Sequence, residues 1–140
     1  MQNYDKELKI LREAFLAVAD PVTSCQPTTY RELQAKGELT SVLQFHCGAV
    51  ATVLRGILGG DIVTGKINGI THYWNRLPNN QEVDLTSCQF GGDGFTPLKK
   101  GRRVHRKDGE TANVKFILFA ERVKRQLRLP IAPALQDADA

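Results

Sequence analysis

A chain of 140 residues with 41% hydrophobic and 24% charged residues has the composition of one folded domain with a core, and this excludes wholesale disorder. Its net charge of +4 comes from basic clusters at residues 99–107 and 122–128, which read as solvated loop and helix faces. No aromatic residues interleave with them as a nucleic-acid stacking platform requires. No apolar run approaches the roughly 20 residues of a membrane helix, and residues 1–6 lack the basic-then-apolar order of a signal peptide. The expectation is therefore a cytoplasmic protein without membrane contact.

Leu8, Leu11, Phe15 and Val18 recur at helical spacing and predict a first helix over residues 4–19. Asp20-Pro21 ends it, because the residue before proline is pushed out of the helical region. Residues 20–29 read as loop. Thr29 and Glu32 form a capping box for a short helix over residues 30–36, and Gly37 stops it.

After a lead-in at residues 41–46, Cys47 opens an apolar run that Gly59-Gly60 terminates. Ala49, Val50, Ala51, Val53, Leu54, Ile57 and Leu58 cover most of the circumference, so this helix is expected to be central and buried. Residues 61–67 and 70–77 read as two strands joined by Asn68-Gly69, a strong hairpin signal. A third strand is expected at 81–87, then a flexible loop from Gly91. Residues 97–110 show no periodicity. Thr111 or Asn113 caps a last helix reaching about Leu127. The predicted domain spans residues 1–128, with a disordered tail at 129–140.

Three cysteines, Cys25, Cys47 and Cys88, form no Cys-x-x-Cys pair, which argues against a disulfide framework or a thiolate zinc site. Histidines 46, 72 and 105 with Cys47 and Asp84 follow no recognised metal-ligand spacing. No metal and no cofactor are expected.

Three residues instead suggest nucleophilic chemistry. A thiol at a helix N-terminus lies beside unpaired N–H groups and about half a positive charge, which favour a thiolate and later an oxyanion. An imidazole completes the activation, and a carboxylate holds the imidazole in one tautomer. Cys47, His72 and Asp84 are the candidates. His72 and Asp84 share a sheet face only if paired residue numbers in their hairpin sum to an even value. The apolar pattern asks for the same register, which puts Tyr73, Leu77, Val83 and Leu85 on one face. It also calls for an odd-length loop or a bulge near residues 78–81. Asn75 and Gln89 are candidate supporting polar residues, and Trp74 is a candidate wall of the substrate cleft.

Cys47 opening an apolar helix, Leu58-Gly59-Gly60-Asp61-Ile62, His72-Tyr73-Trp74-Asn75, Val83-Asp84-Leu85-Thr86 with Gln89-Phe90, and Glu121-Arg122-Val123 together resemble the YunG-like family over about residues 40–127. The resemblance implies an α+β fold of papain-like or transglutaminase-like type, with helices packed on a small antiparallel sheet of three to five strands. It supports Cys47, His72 and Asp84 as a catalytic triad and leaves the substrate open. Such proteins tend to carry Gly-Gln directly before the cysteine, where this chain has Phe45-His46. The oxyanion role then falls to Gln44, with His46 beside it, or to N–H groups of the helix start.

The expected function is a cysteine hydrolase or acyl transferase of peptidase, amidase or deamidase type, acting on a peptide, amide or protein. The alternative is a non-catalytic binding module with a basic 99–107 loop for an acidic partner.

Overall fold

The computed structural model describes residues 3–104 and 113–128. Its order is α1 (Asp5–Val18), α2 (Pro27–Lys36), α3 (Cys47–Leu58), β1 (Asp61–Ile67), β2 (Ile70–Arg76), β3 (Glu82–Val83), a single 3-10 turn (Ser87–Phe90), β4 (Arg102–Arg103) and α4 (Val114–Arg128). The fold is α+β: among the described residues four helices accompany one antiparallel sheet of order β3-β2-β1-β4.

The apolar stripe of α1 drives the helical layer together. Leu8, Leu11 and Phe15 enter one core with Ala49, Val50, Val53 and Leu54 of α3 and with Phe119 and Val123 of α4. Phe15 and Phe119 stack with centroids 5.6 Å apart, and Arg122 of α4 pairs with Asp20 just beyond α1 at 2.6 Å. Leu77, Val83 and Leu85 bring the β2–β3 hairpin into the same core. Asn75 ties β2 to α3 directly by donating to the Ala51 carbonyl at 2.9 Å.

The first hairpin follows from its turn. Asn68 and Gly69 both adopt positive φ, 53° and 77°, the pair of left-handed conformations that matches the twist of the flanking strands. Ile67 therefore pairs with Ile70. In the second hairpin Asn75 pairs with Val83 and Arg76 with Glu82, the even-sum register anticipated from the apolar pattern. Pro78, Asn79 and Asn80 form the odd-length loop, closed by bonds from Leu77 N–H to the Gln81 carbonyl and from Asn80 N–H to the Leu77 carbonyl.

Four local features differ from expectation. Helix α2 begins at Pro27, not residue 30, because proline at the first helical position is already set to helical φ. Strand β3 stops at Val83, well short of residue 87. There Asp84 Oδ1 accepts both the N–H and the hydroxyl of Thr86, and this local bonding bends the chain out of the sheet. Strand β4 arises in a segment with no periodicity, since two residues are too few to show any. Helix α3 is not covered all round, because Ile57 is 43% exposed.

Asn113 caps α4 by accepting the Lys115 N–H at 2.9 Å, while the alternative cap Thr111 lies outside the described residues. So do His105, part of the basic loop and the 129–140 tail.

Candidate active site

Helix α3 starts at Cys47 because the preceding loop is locked in place. Phe45 takes a positive φ of 64°, and its carbonyl accepts the N–H of Cys25 at 3.1 Å. His46, 1% exposed, hydrogen-bonds through Nδ1 to the Gln44 carbonyl at 2.9 Å and through Nε2 to the Thr23 hydroxyl at 2.7 Å. A carbonyl can only accept, so Nδ1 carries the proton and Nε2 accepts from Thr23. His46 also packs between the rings of Tyr30 and Phe119. Burial pushes its pKa down, against opposing contributions from the Gln44 carbonyl and the Asp20 charge. The imidazole is thus neutral and structural. Among the described residues no side chain caps the first turn of α3.

His72 sits on β2, where the Thr64 hydroxyl donates to its carbonyl at 2.8 Å. Its ring is sandwiched between Trp74, stacked at 5.5 Å, and the edge of Phe90 at 4.9 Å. His72 Nε2 donates to Asp84 Oδ2 at 2.7 Å, with both residues 1% exposed. Thr86 saturates the other carboxylate oxygen with its N–H at 3.0 Å and its hydroxyl at 3.1 Å. With Nε2 engaged, Nδ1 is the nitrogen left for the Cys47 thiol, which is also a hydrogen-bond partner of this ring. Burial pulls the His72 pKa down. The hydrogen bonds and charges of Asp84 and Cys47 outweigh it and raise the value to about 9.

The three residues Cys47, His72 and Asp84 therefore come together as a sulfur–imidazole–carboxylate row. Cys47 is half-buried, and Cys25 is an exposed thiol. Partial desolvation and then Cys47 push the Cys25 thiol up, while Lys115 pulls against them. Lys115 is held near this mouth by its 2.7 Å bond to the Ser24 carbonyl.

The supporting candidates are placed differently. Gln44 turns its Oε1 to the Thr40 N–H at 3.1 Å. Asn75 faces α3 through Ala51. Trp74 is 1% exposed and donates to Glu82 Oε1 at 2.9 Å. It stands behind the imidazole, and Gly101 packs so close to its ring that a Cβ there would overlap it. Gln89 follows Thr86 in the 3-10 turn, and its Nε2 is buried without a hydrogen-bond partner among the described residues. Thr86 and Phe90 were not singled out as site residues from the sequence. The Asp84-Leu85-Thr86 spacing, typical of an Asp side chain that bonds the backbone two residues on, was the available signal for Thr86.

The family model described as YunG protein matches residues 10–128. The chain belongs to the YunG family. No curated protein and no solved structure matches it. The family match begins within α1 and runs to the end of α4, so the sulfur–imidazole–carboxylate row lies wholly within the family's extent. Among the described residues no helix is long and apolar enough to cross a membrane.

Proposed function

We propose that this protein is a cysteine hydrolase or acyl transferase of papain-like type, acting on an amide, peptide or thioester. The observation that carries this reading is the buried His72, bonded at 2.7 Å to the Asp84 carboxylate and partnered by the Cys47 thiol, surroundings that raise its pKa to about 9. An imidazolium beside a cysteine is the arrangement that makes the sulfur nucleophilic at neutral pH.

In the proposed cycle the Cys47 thiolate, its proton already on the His72 imidazolium, attacks the acyl carbon. The carbonyl oxygen gains the displaced electron pair, and the uncapped N–H groups at the start of α3 are suited to bind that oxyanion. The imidazolium returns its proton to the leaving amine or thiol as the acyl–sulfur bond persists. Imidazole then deprotonates water, or an acceptor nucleophile, which cleaves the thioester. Asp84, held by Thr86, keeps Nε2 protonated throughout and so presents Nδ1 to the sulfur.

The test is chemical labelling at pH 7 with iodoacetamide, followed by an activated acyl ester, with each cysteine read by mass spectrometry. Cys47 should alkylate at least roughly tenfold faster than Cys25 and Cys88 and should hold a hydroxylamine-sensitive acyl group. Slow, equal labelling of all three thiols would sink the proposal and leave a binding module on the same fold.

A further inference from the structure

The sequence of α3 is apolar almost all round, yet one side of the helix is left open. Thr52, Arg55, Gly56 and Ile57 of α3 face Phe116, Ile117, Ala120 and Lys124 of α4 across a groove of about 290 Å³. Ile57 is 43% and Ile117 49% exposed, while Phe116 and Ala120 pack against the core as the floor. Nothing in the proposed chemistry uses this face.

We propose that the groove is a docking site for an acidic amphipathic helix of a partner protein. Three features argue for that occupant. The apolar residues 116, 117 and 120 of α4 follow one helical stripe that Lys124 ends, and Gly56 and Ala120 are small enough to admit the ridge of a third helix. The groove is concave, which suits a helix better than a flat lipid surface. Its charged lining residues are Arg55 and Lys124, with no acidic one. Among the described residues Arg55 has no ion pair, and Lys124 meets only Glu121, exposed and 3.6 Å away. Arg128, one turn beyond Lys124 and exposed, continues the positive side of α4. A helix with aliphatic residues at i, i+3 and i+7 and glutamates on its flanks would cover the isoleucines and supply the missing negative charge.

The probe is a labelled synthetic helix of about 18 residues with leucines at those spacings and glutamate flanks, titrated by fluorescence anisotropy with the full chain. Two control peptides replace glutamate by lysine, or leucine by serine. The glutamate peptide should bind at least roughly tenfold tighter than either control. Ile117→Ser, at a half-exposed position that spares the core, should weaken it about fivefold or more, and the double reversal Arg55→Glu with Lys124→Glu should transfer the preference to the lysine peptide. Equal binding of all three peptides, or no effect of these substitutions, overturns the proposal. So does tighter peptide binding after deletion of residues 129–140, which assigns the groove to the chain's own end. Self-association relieved by Ile117→Ser assigns it to a second copy, and anionic-vesicle binding that the peptide cannot displace assigns it to lipid; each overturns the partner-helix assignment.

Discussion

His46 and His72 are both 1% exposed and both held by hydrogen bonds, yet their pKa values move in opposite directions. His46 lies between a hydroxyl and a carbonyl, and burial lowers its pKa. His72 suffers the same penalty, but Asp84 and Cys47 reverse it and raise the value to about 9. Burial alone thus does not decide what a histidine does beside this cysteine. The decision rests on whether a group bonded directly to the ring can carry negative charge. One imidazole consequently shapes the loop that delivers Cys47, and the other is equipped to exchange a proton with it.

The sharpest way to break this contrast is to take the charge away from His72. Asp84→Asn should leave it neutral and, unlike His46, free to adopt either tautomer. The alkylation rate of Cys47 at pH 7 should then fall by roughly ten- to a hundredfold, and folding stability by about 2–3 kcal/mol. Thr23→Val, the matching lesion at His46, should leave the alkylation rate within about threefold while costing stability by about 1–2 kcal/mol. Equal losses of reactivity in the two variants would mean that the histidines are not functionally distinct.

A second, smaller effect separates the two sites by pH. The folded pKa of His72 lies above the 6.5 of an ordinary histidine, so the folded state binds the extra proton between those values. Its contribution to stability is complete below about pH 6.5 and is lost as pH rises through about 9, on the order of 3 kcal/mol in all. Urea denaturation between pH 6.5 and 9.5 should show that decline in the native protein, and Asp84→Asn should flatten it. A steep decline that persists in the variant would place the titrating group elsewhere.

Much of this arrangement could be read from the chain because short-range rules govern it. The Asn68-Gly69 turn sets the first hairpin, and the need to bury Leu77, Val83 and Leu85 together sets the even register that puts His72 and Asp84 on one face. Where the reading stopped, the cause was contact between distant segments. His46 looked like a site residue from its place beside Cys47, but its partners Thr23, Tyr30 and Phe119 come from the α1–α2 loop, α2 and α4. Trp74 looked like a cleft wall until residue 101, brought alongside by β4, covered it. No local pattern encodes either burial. Strand β3 shows the converse case, a local Asp84–Thr86 bond overriding strand propensity.

The smallest expected effect lies on the acid side and concerns His46 alone. Its folded pKa is depressed by burial, so the stability it contributes is present above about pH 6.5 and is lost as pH falls through the folded value. Protonation there would leave a charged ring against the Thr23 hydroxyl with no acceptor lone pair of its own to offer. His46→Gln retains a donor for the Gln44 carbonyl and an acceptor for Thr23 without the titration. Stability measured between about pH 6.5 and 4.5 should therefore fall less in His46→Gln than in the native protein, while the alkaline decline stays unchanged. Because the two limbs belong to different residues, each variant should flatten one and spare the other. If His46→Gln altered the alkaline limb, the clusters on either side of Cys47 would be one coupled network, and the division of labour between them would not hold.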